Sequence, residues 1–115
     1  MNTLVHWARD AVRLGSIAHK LRSPQWPHVE KAFLELNGFC AACGGKEHLQ
    51  VHHIKPFHLF PELELDPKNL ITLCEVKAIG NHHLNFGHRG NWKGFNVSVV
   101  DDAATFRRSQ LTSPI

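Results

Sequence analysis

The sequence predicts an α+β fold in which helices at both ends flank a short β-hairpin. Three observations predict it. A helical segment opens at Pro27 and stops at Asn37-Gly38; two strand-like stretches occupy 49–54 and 70–74; and 99–109 reads as a closing helix. With 115 residues, 43% hydrophobic and 20% charged, the chain has the size and balance of one globular domain. The expected division of 1–115 is a helical part over 1–38, a cysteine- and histidine-rich core over 39–90, and a helix and tail over 91–115.

In chain order, Leu4, Ala8, Ala11, Val12, Ala18 and Leu21 recur at roughly helical spacing, with Gly15 weakening the middle. "RSPQWP" (22–27) breaks the pattern. In the next helix Pro27 suits the first turn, and Val29, Phe33, Leu34 and Leu36 form an apolar stripe. "CAACGG" (40–45) is a turn, and "LQVHHI" (49–54) alternates as a strand does. A long connection with three prolines fills 55–69, "LITLC" (70–74) is the second strand, and "HHLNFGH" (82–88) is a short helix or turn. In the closing helix, Asp near the start and Arg near the end suit the macrodipole. Trp92 and Phe95 are expected to pack in the core.

No apolar run approaches a membrane span, and Arg9, Asp10 and Arg13 interrupt the N-terminus, against a secretory signal. A cytoplasmic location, no membrane, and a monomer or weak dimer are therefore expected. The net charge of +3 and isoelectric point near 9.0 lean toward an anionic partner such as DNA.

Three cysteines cannot close a disulfide framework by themselves. Cys40 and Cys43 form a CxxC, Cys74 ends the second strand, and His82 follows eight residues later. Cys3His is an accepted structural zinc set, so Cys40, Cys43, Cys74 and His82 are the candidate ligands. The alternatives are a redox CxxC, which lacks its strand-to-helix context here, and three unligated thiols packed in a core.

Half of the ten histidines (His52, His53, His82, His83 and His88) fall in two tight clusters. In the doublet His52-His53, strand alternation sends one ring to each face. If the hairpin meets a helix bearing His83 and His88, His52 can join them as ligands of a divalent cation. His53 then stands across a cleft as a general base acting on water. A strand end with one solvated and one hydrogen-bonded histidine is the simpler alternative.

"LQVHHIKPF", "ELELDPKNLITLC" and "HHLNFGHRGNW" resemble the HNH endonuclease family of ββα-metal nucleases. The resemblance covers roughly 22–110 and is strongest to small HNH nucleases often carried by phages; a more distant likeness is to colicin-type nuclease toxins. It implies a ββα-metal core with a zinc knuckle, and phosphodiester hydrolysis in DNA that leaves 5′-phosphate and 3′-hydroxyl ends. By resemblance His53 activates water, and Asn69 bonds backbone near it and holds its ring. His52 stands where many members carry a ligating Asp, and His83 where the last His binds metal. His82 replaces the usual fourth Cys of the knuckle. His88 is a third cation ligand or a phosphate contact, because five residues span about 140° of a regular α-helix. An all-histidine site favours Zn²⁺, Ni²⁺ or Mn²⁺ over Mg²⁺. Lys55, His58, Arg89 and Lys93 flank these motifs as candidate phosphate contacts, with solvated surface charge as the alternative. Phage packaging proteins such as terminase are conceivable partners. The competing functions are a non-catalytic zinc-stapled DNA-binding module and a nuclease toxin with an immunity partner.

Overall fold

The computed structural model describes residues 22–112; the helical pattern expected over 4–21 lies outside them. Helix α1 (Trp26–Leu36) begins with Pro27 in its first turn and ends where the Asn37 backbone N–H and side-chain amide both donate to the Phe33 carbonyl. Of the expected apolar stripe, Val29, Phe33 and Leu34 are half-buried. Leu36, the last residue of the helix, is 83% exposed.

Strands β1 (Leu49–His53) and β2 (Leu70–Cys74) pair antiparallel, with Leu49 opposite Cys74 and His53 opposite Leu70. All of β2 is buried, as befits a strand covered on both faces. The connection over 54–69 is ordered by two short 3-10 turns, Pro61–Leu63 and Pro67–Asn69, the second opened by the Asp66 carboxylate accepting from the Lys68 N–H.

After β2 the chain forms a single π-helical turn, His83–Gly87. The Asn81 side chain accepts from the Leu84 N–H at its start. Helix α2 (Val99–Thr112) closes the structure with Asp101 and Asp102 in its first turn. It runs further than the sequence suggests, so Arg107 and Arg108 lie inside the helix instead of at its end. The Arg107 guanidinium instead lies over Gly44 (φ +76°), where a Cβ would sit 2.8 Å from Nη2. Glycine is favoured there by the left-handed backbone conformation, whereas the guanidinium, at the end of a flexible side chain, could move aside for a Cβ.

The main core gathers Cys40, Ala42, Ile71, Leu73, Cys74, Val99 and Ala103, with Phe86 and Phe106 packed against it. It thus joins the cysteine turn, β2 and α2. Trp26 of α1 meets His53, while the π-helical turn meets His52, so opposite faces of β1 carry different neighbours. Among the described residues no helix is long and apolar enough to cross a membrane.

Buried Asn96 ties the π-helical turn to α2. Its N–H donates to the Gly87 carbonyl, its amide donates to the Phe86 carbonyl and the Asp102 carboxylate, and its oxygen accepts from the Ser98 N–H. Asn96→Ala strands several of these groups and is expected to lower stability by about 1–3 kcal/mol, read by chemical denaturation in zinc-replete buffer.

Candidate metal centres and cleft

The cysteine turn is a tight backbone knot. Cys40 N–H donates to the Gly45 carbonyl, Gly44 N–H to the Cys40 carbonyl, and Gly45 N–H to Cys43 Sγ. Ala41 N–H, donating to the Thr72 carbonyl, docks the knot on β2. Cys40, Cys43, Cys74 and His82 bring one ligand atom each to within 4.8 Å of the others. His82 Nδ1 lies 3.6 Å from Cys40 Sγ and 3.4 Å from Cys74 Sγ. Zinc bonds of about 2.3 Å to sulfur and 2.0–2.1 Å to nitrogen put those atoms about 3.6 Å apart at the tetrahedral angle. The four residues therefore fit zinc, with His82 in place of a fourth cysteine.

The surroundings suit that ion. The His82 ring is wedged edge-on against Phe86 and tilted against Phe106, which fixes its direction. Burial pushes the Cys43 thiol up to about 11, so without an ion it stays protonated at neutral pH. At Cys74 burial also acts upward, but it is outweighed by the backbone N–H groups of Val76 and His82, and the thiol falls below its usual value.

A second cluster, His52, His83 and His88, likewise converges within 4.8 Å. His83 Nε2 is 3.1 Å from His52 Nδ1 and 3.3 Å from His88 Nε2. Two imidazole nitrogens on one tetrahedral zinc stand about 3.3 Å apart. The remaining nitrogens settle the tautomers. His83 Nδ1 donates to the Glu75 carboxylate at 2.8 Å, and His88 Nδ1 donates to the Gly94 carbonyl at 2.8 Å. Both rings therefore aim Nε2 lone pairs at one point, an arrangement that is repulsive unless a cation stands between them. Backbone and carboxylate acceptors behind the ligands are the usual outer support of a metal site. Burial drives His52 down to about 3, with the neighbouring His83 and His88 adding to it, and burial also lowers His83. Neutral imidazole is the ligating form.

The spacing of His83 and His88 is explained by the turn that carries them. In a π-helix the hydrogen bonds run i to i+5 and the turn is wider than in an α-helix, so residues five apart come nearer to the same face. Gly87 ends it, and a Cβ on Gly87 would come within 3.0–3.1 Å of the His52 ring. The glycine lets the turn approach the strand closely enough for the three rings to meet.

His53 leaves β1 on the other face and donates from Nε2 to the Glu64 carbonyl at 2.9 Å, which leaves the lone pair on Nδ1. Trp26 lies against its ring with centroids 4.5 Å apart. Burial lowers its pKa, opposed by the Glu64 bond. Asn69 bonds the backbone of Lys55 twice, accepting from its N–H and donating to its carbonyl, and also donates to the Leu63 carbonyl. It thereby straps the end of β1 to the 3-10 turn whose next residue, Glu64, holds His53.

One cleft of about 360 Å³ has His53, His52, His83 and His88 on its walls, together with His58 and Lys93. The other two candidate phosphate contacts lie elsewhere. Lys55 extends over the Phe60 ring, and Arg89 lines a separate hollow beside Phe86 and Phe106. Trp92 is not a core residue: it is 52% exposed, with its ring against His83 and His88 on the cleft wall. Its neighbours are imidazoles fixed at the rim, so the indole packs sideways and not inward. Sequence reasoning missed Glu64, Glu75, Gly94 and Arg22. Only Glu75 left a signal: Cys74-Glu75 and His82-His83 are adjacent pairs at the same eight-residue offset.

Two antiparallel strands and a helical turn around a histidine cluster, beside a Cys3His knuckle that could hold zinc, are consistent with a ββα-metal fold. The HNH endonuclease family model matches residues 40–76, from the first cysteine through the doublet, Asn69 and Cys74. Searches of curated proteins and of solved structures found no match.

Purified protein is expected to carry about one tightly held zinc per chain after weakly bound ions are removed, since ligation is coupled to folding. Cys40→Ser should lose that zinc and unfold at lower temperature, as read by elemental analysis and calorimetry. A fully folded, zinc-free parent contradicts the assignment.

Proposed function

We propose that the chain is a metal-dependent DNA endonuclease that hydrolyses phosphodiester bonds with His53 as general base. The observation that carries this is the shared cleft: a tautomer-fixed imidazole with a free Nδ1 stands on the same walls as three imidazoles aimed at one cation position. The family match over 40–76 supports a nuclease independently of that geometry.

His53 Nδ1 accepts a proton from water as that water attacks phosphorus, the P–O3′ bond breaks and the departing 3′ oxygen takes a proton from solvent, and the Glu64 carbonyl steadies the imidazolium that forms. Asn69 holds the loop that sets the direction of the ring. His52, His83 and His88 would hold the divalent cation, which would supply Lewis-acid stabilisation of charge on the scissile phosphate and the leaving oxygen. Glu75 and the Gly94 carbonyl keep two of the ligands in the ligating tautomer. With three nitrogen donors and no carboxylate in the ligand set, Zn²⁺, Ni²⁺ or Mn²⁺ is preferred to Mg²⁺. Lys93 and His58 on the cleft are the phosphate contacts retained from the sequence reading.

The two histidines of the doublet are expected to fail differently. His52→Ala weakens cation binding, so its nicking of supercoiled plasmid recovers in part as the metal concentration rises. His53→Ala binds the cation nearly as the parent does but cleaves roughly 10²–10⁴-fold more slowly. Calorimetry and nicking rates across metal concentrations separate them, and rescue of His53→Ala by metal reverses the assignment. Parent protein that binds DNA and cation but never nicks identifies a non-catalytic binding module.

The pH profile carries a sign. The base works as neutral imidazole, and burial depresses His53 below 6.5. Activity is therefore full above that depressed value and is lost as pH falls through it. The acid limb of the rate is expected below 6.5, lower than an unperturbed histidine would give, and absent from any residual activity of His53→Ala.

A further inference from the structure

Arg22 stands on the cleft that His53 and the three ligand imidazoles share, and no role has yet been given to it. Its side chain is 49% exposed, but its position is fixed from two sides. The guanidinium lies over the Phe57 ring, 4.3 Å from the centroid, and Nη1 is 3.7 Å from Oε2 of Glu64, whose own side chain is only 5% exposed. The Ser23 N–H donates to both oxygens of that carboxylate, at 3.1 and 3.4 Å, so the backbone next to Arg22 is anchored to the same group.

Stability does not account for this arrangement. Burying a carboxylate is costly, and an ion pair with one partner half in water contributes little. Among the described residues this 3.7 Å contact is the hydrogen-bonding or ionic partner of the fork, so most of its donors are unspent there. What the arrangement does achieve is registration. Glu64 holds His53 with its main-chain carbonyl and Arg22 with its carboxylate, so one residue sets the separation of base and cation. A planar, oriented, half-exposed fork at the lip of a cleft is suited to a tetrahedral oxyanion.

We propose that Arg22 is a substrate-contacting residue that takes a phosphate oxygen of the DNA strand crossing the cleft, and that Glu64 is the positioning residue that aims it. The proposal rests on the nuclease reading for its ligand. It goes beyond that reading by assigning a phosphate subsite to the segment before α1, outside the 40–76 match.

The test compares the parent with Arg22→Met, which keeps an apolar stem over Phe57, Arg22→Lys, which keeps the charge, and Glu64→Gln. Zinc content and thermal unfolding first establish that each is folded. Binding to a short fluorescent DNA duplex is then measured by anisotropy across a salt series without added catalytic cation, and cleavage under single-turnover conditions with it. Arg22→Met is expected to bind about tenfold more weakly, with the slope of log affinity against log salt smaller by about 0.9, the signature of one lost phosphate contact. Arg22→Lys should keep the parental slope and recover part of the affinity. Glu64→Gln should keep the slope but cleave more slowly at saturating protein. Because the binding arm needs no turnover, a parent that binds but does not cut sinks the nuclease reading while Arg22 is still judged by the slope. A folded Arg22→Met with parental affinity and slope, weakened binding with an unchanged slope, or a parent that does not bind DNA overturns the proposal.

Discussion

The approach of the π-helical turn to the hairpin is the constraint on which the candidate site depends. Cys74 ends β2 and His82 precedes the turn, and their meeting at the knuckle brings the segment between them back onto the strand it has just left. With that closure made, the next residue on each side is placed as well: Glu75 meets His83. The Asn96 network clamps the far end of the same turn to α2. His82 of the candidate zinc set and His83 of the candidate cation set are thus consecutive residues, and one cannot move far without the other.

Both histidine doublets are divided between two tasks, by different means. In β1 the pleat divides them, so His52 faces the turn and His53 faces Trp26. At the start of the turn, successive positions on a helical path separate His82, which faces the cysteines, from His83, which faces the cleft. Three of the four rings on the cleft have one nitrogen engaged by an acceptor: Glu75 for His83, the Gly94 carbonyl for His88 and the Glu64 carbonyl for His53, while the buried Nε2 of His52 has no partner among the described residues. These acceptors do the chemical sorting. Burial completes it by holding His52, His53 and His83 neutral at ordinary pH.

Glu64 links the halves of the cleft that the sequence motifs leave separate. Its carbonyl fixes the His53 ring, its carboxylate faces Arg22, and its place directly after the Pro61–Leu63 turn is secured by Asn69 through the Leu63 carbonyl. The long connection between the strands is therefore part of the candidate site: its prolines restrict the path that delivers the Glu64 carbonyl to His53 and its carboxylate to Arg22.

The sequence by itself determined the hairpin, the knuckle and the identity of the histidines near the cleft, because each leaves a local mark. Alternation marks β1, the CxxC spacing marks the candidate metal-binding turn, and Pro27 and Asn37-Gly38 bound a helix. Tertiary structure alone decided what has no local mark. The pairing of His83 with His88 needed a π-helical repeat, which no α-helical or strand periodicity announces, and it needed Gly87 to let the turn close on His52. Leu36 and Trp92 look like core residues by type, yet one sits exposed at a helix end and the other on a cleft wall. Lys55 and Arg89 are near the motifs in sequence but point to Phe60 and to a separate hollow, while Arg22, far from them in sequence, reaches the cleft. The reason is physical: a ligand's partner, a carbonyl's direction and a cation's destination depend on which segments pack together, and that is settled by long-range burial and hydrogen bonding rather than by neighbours along the chain.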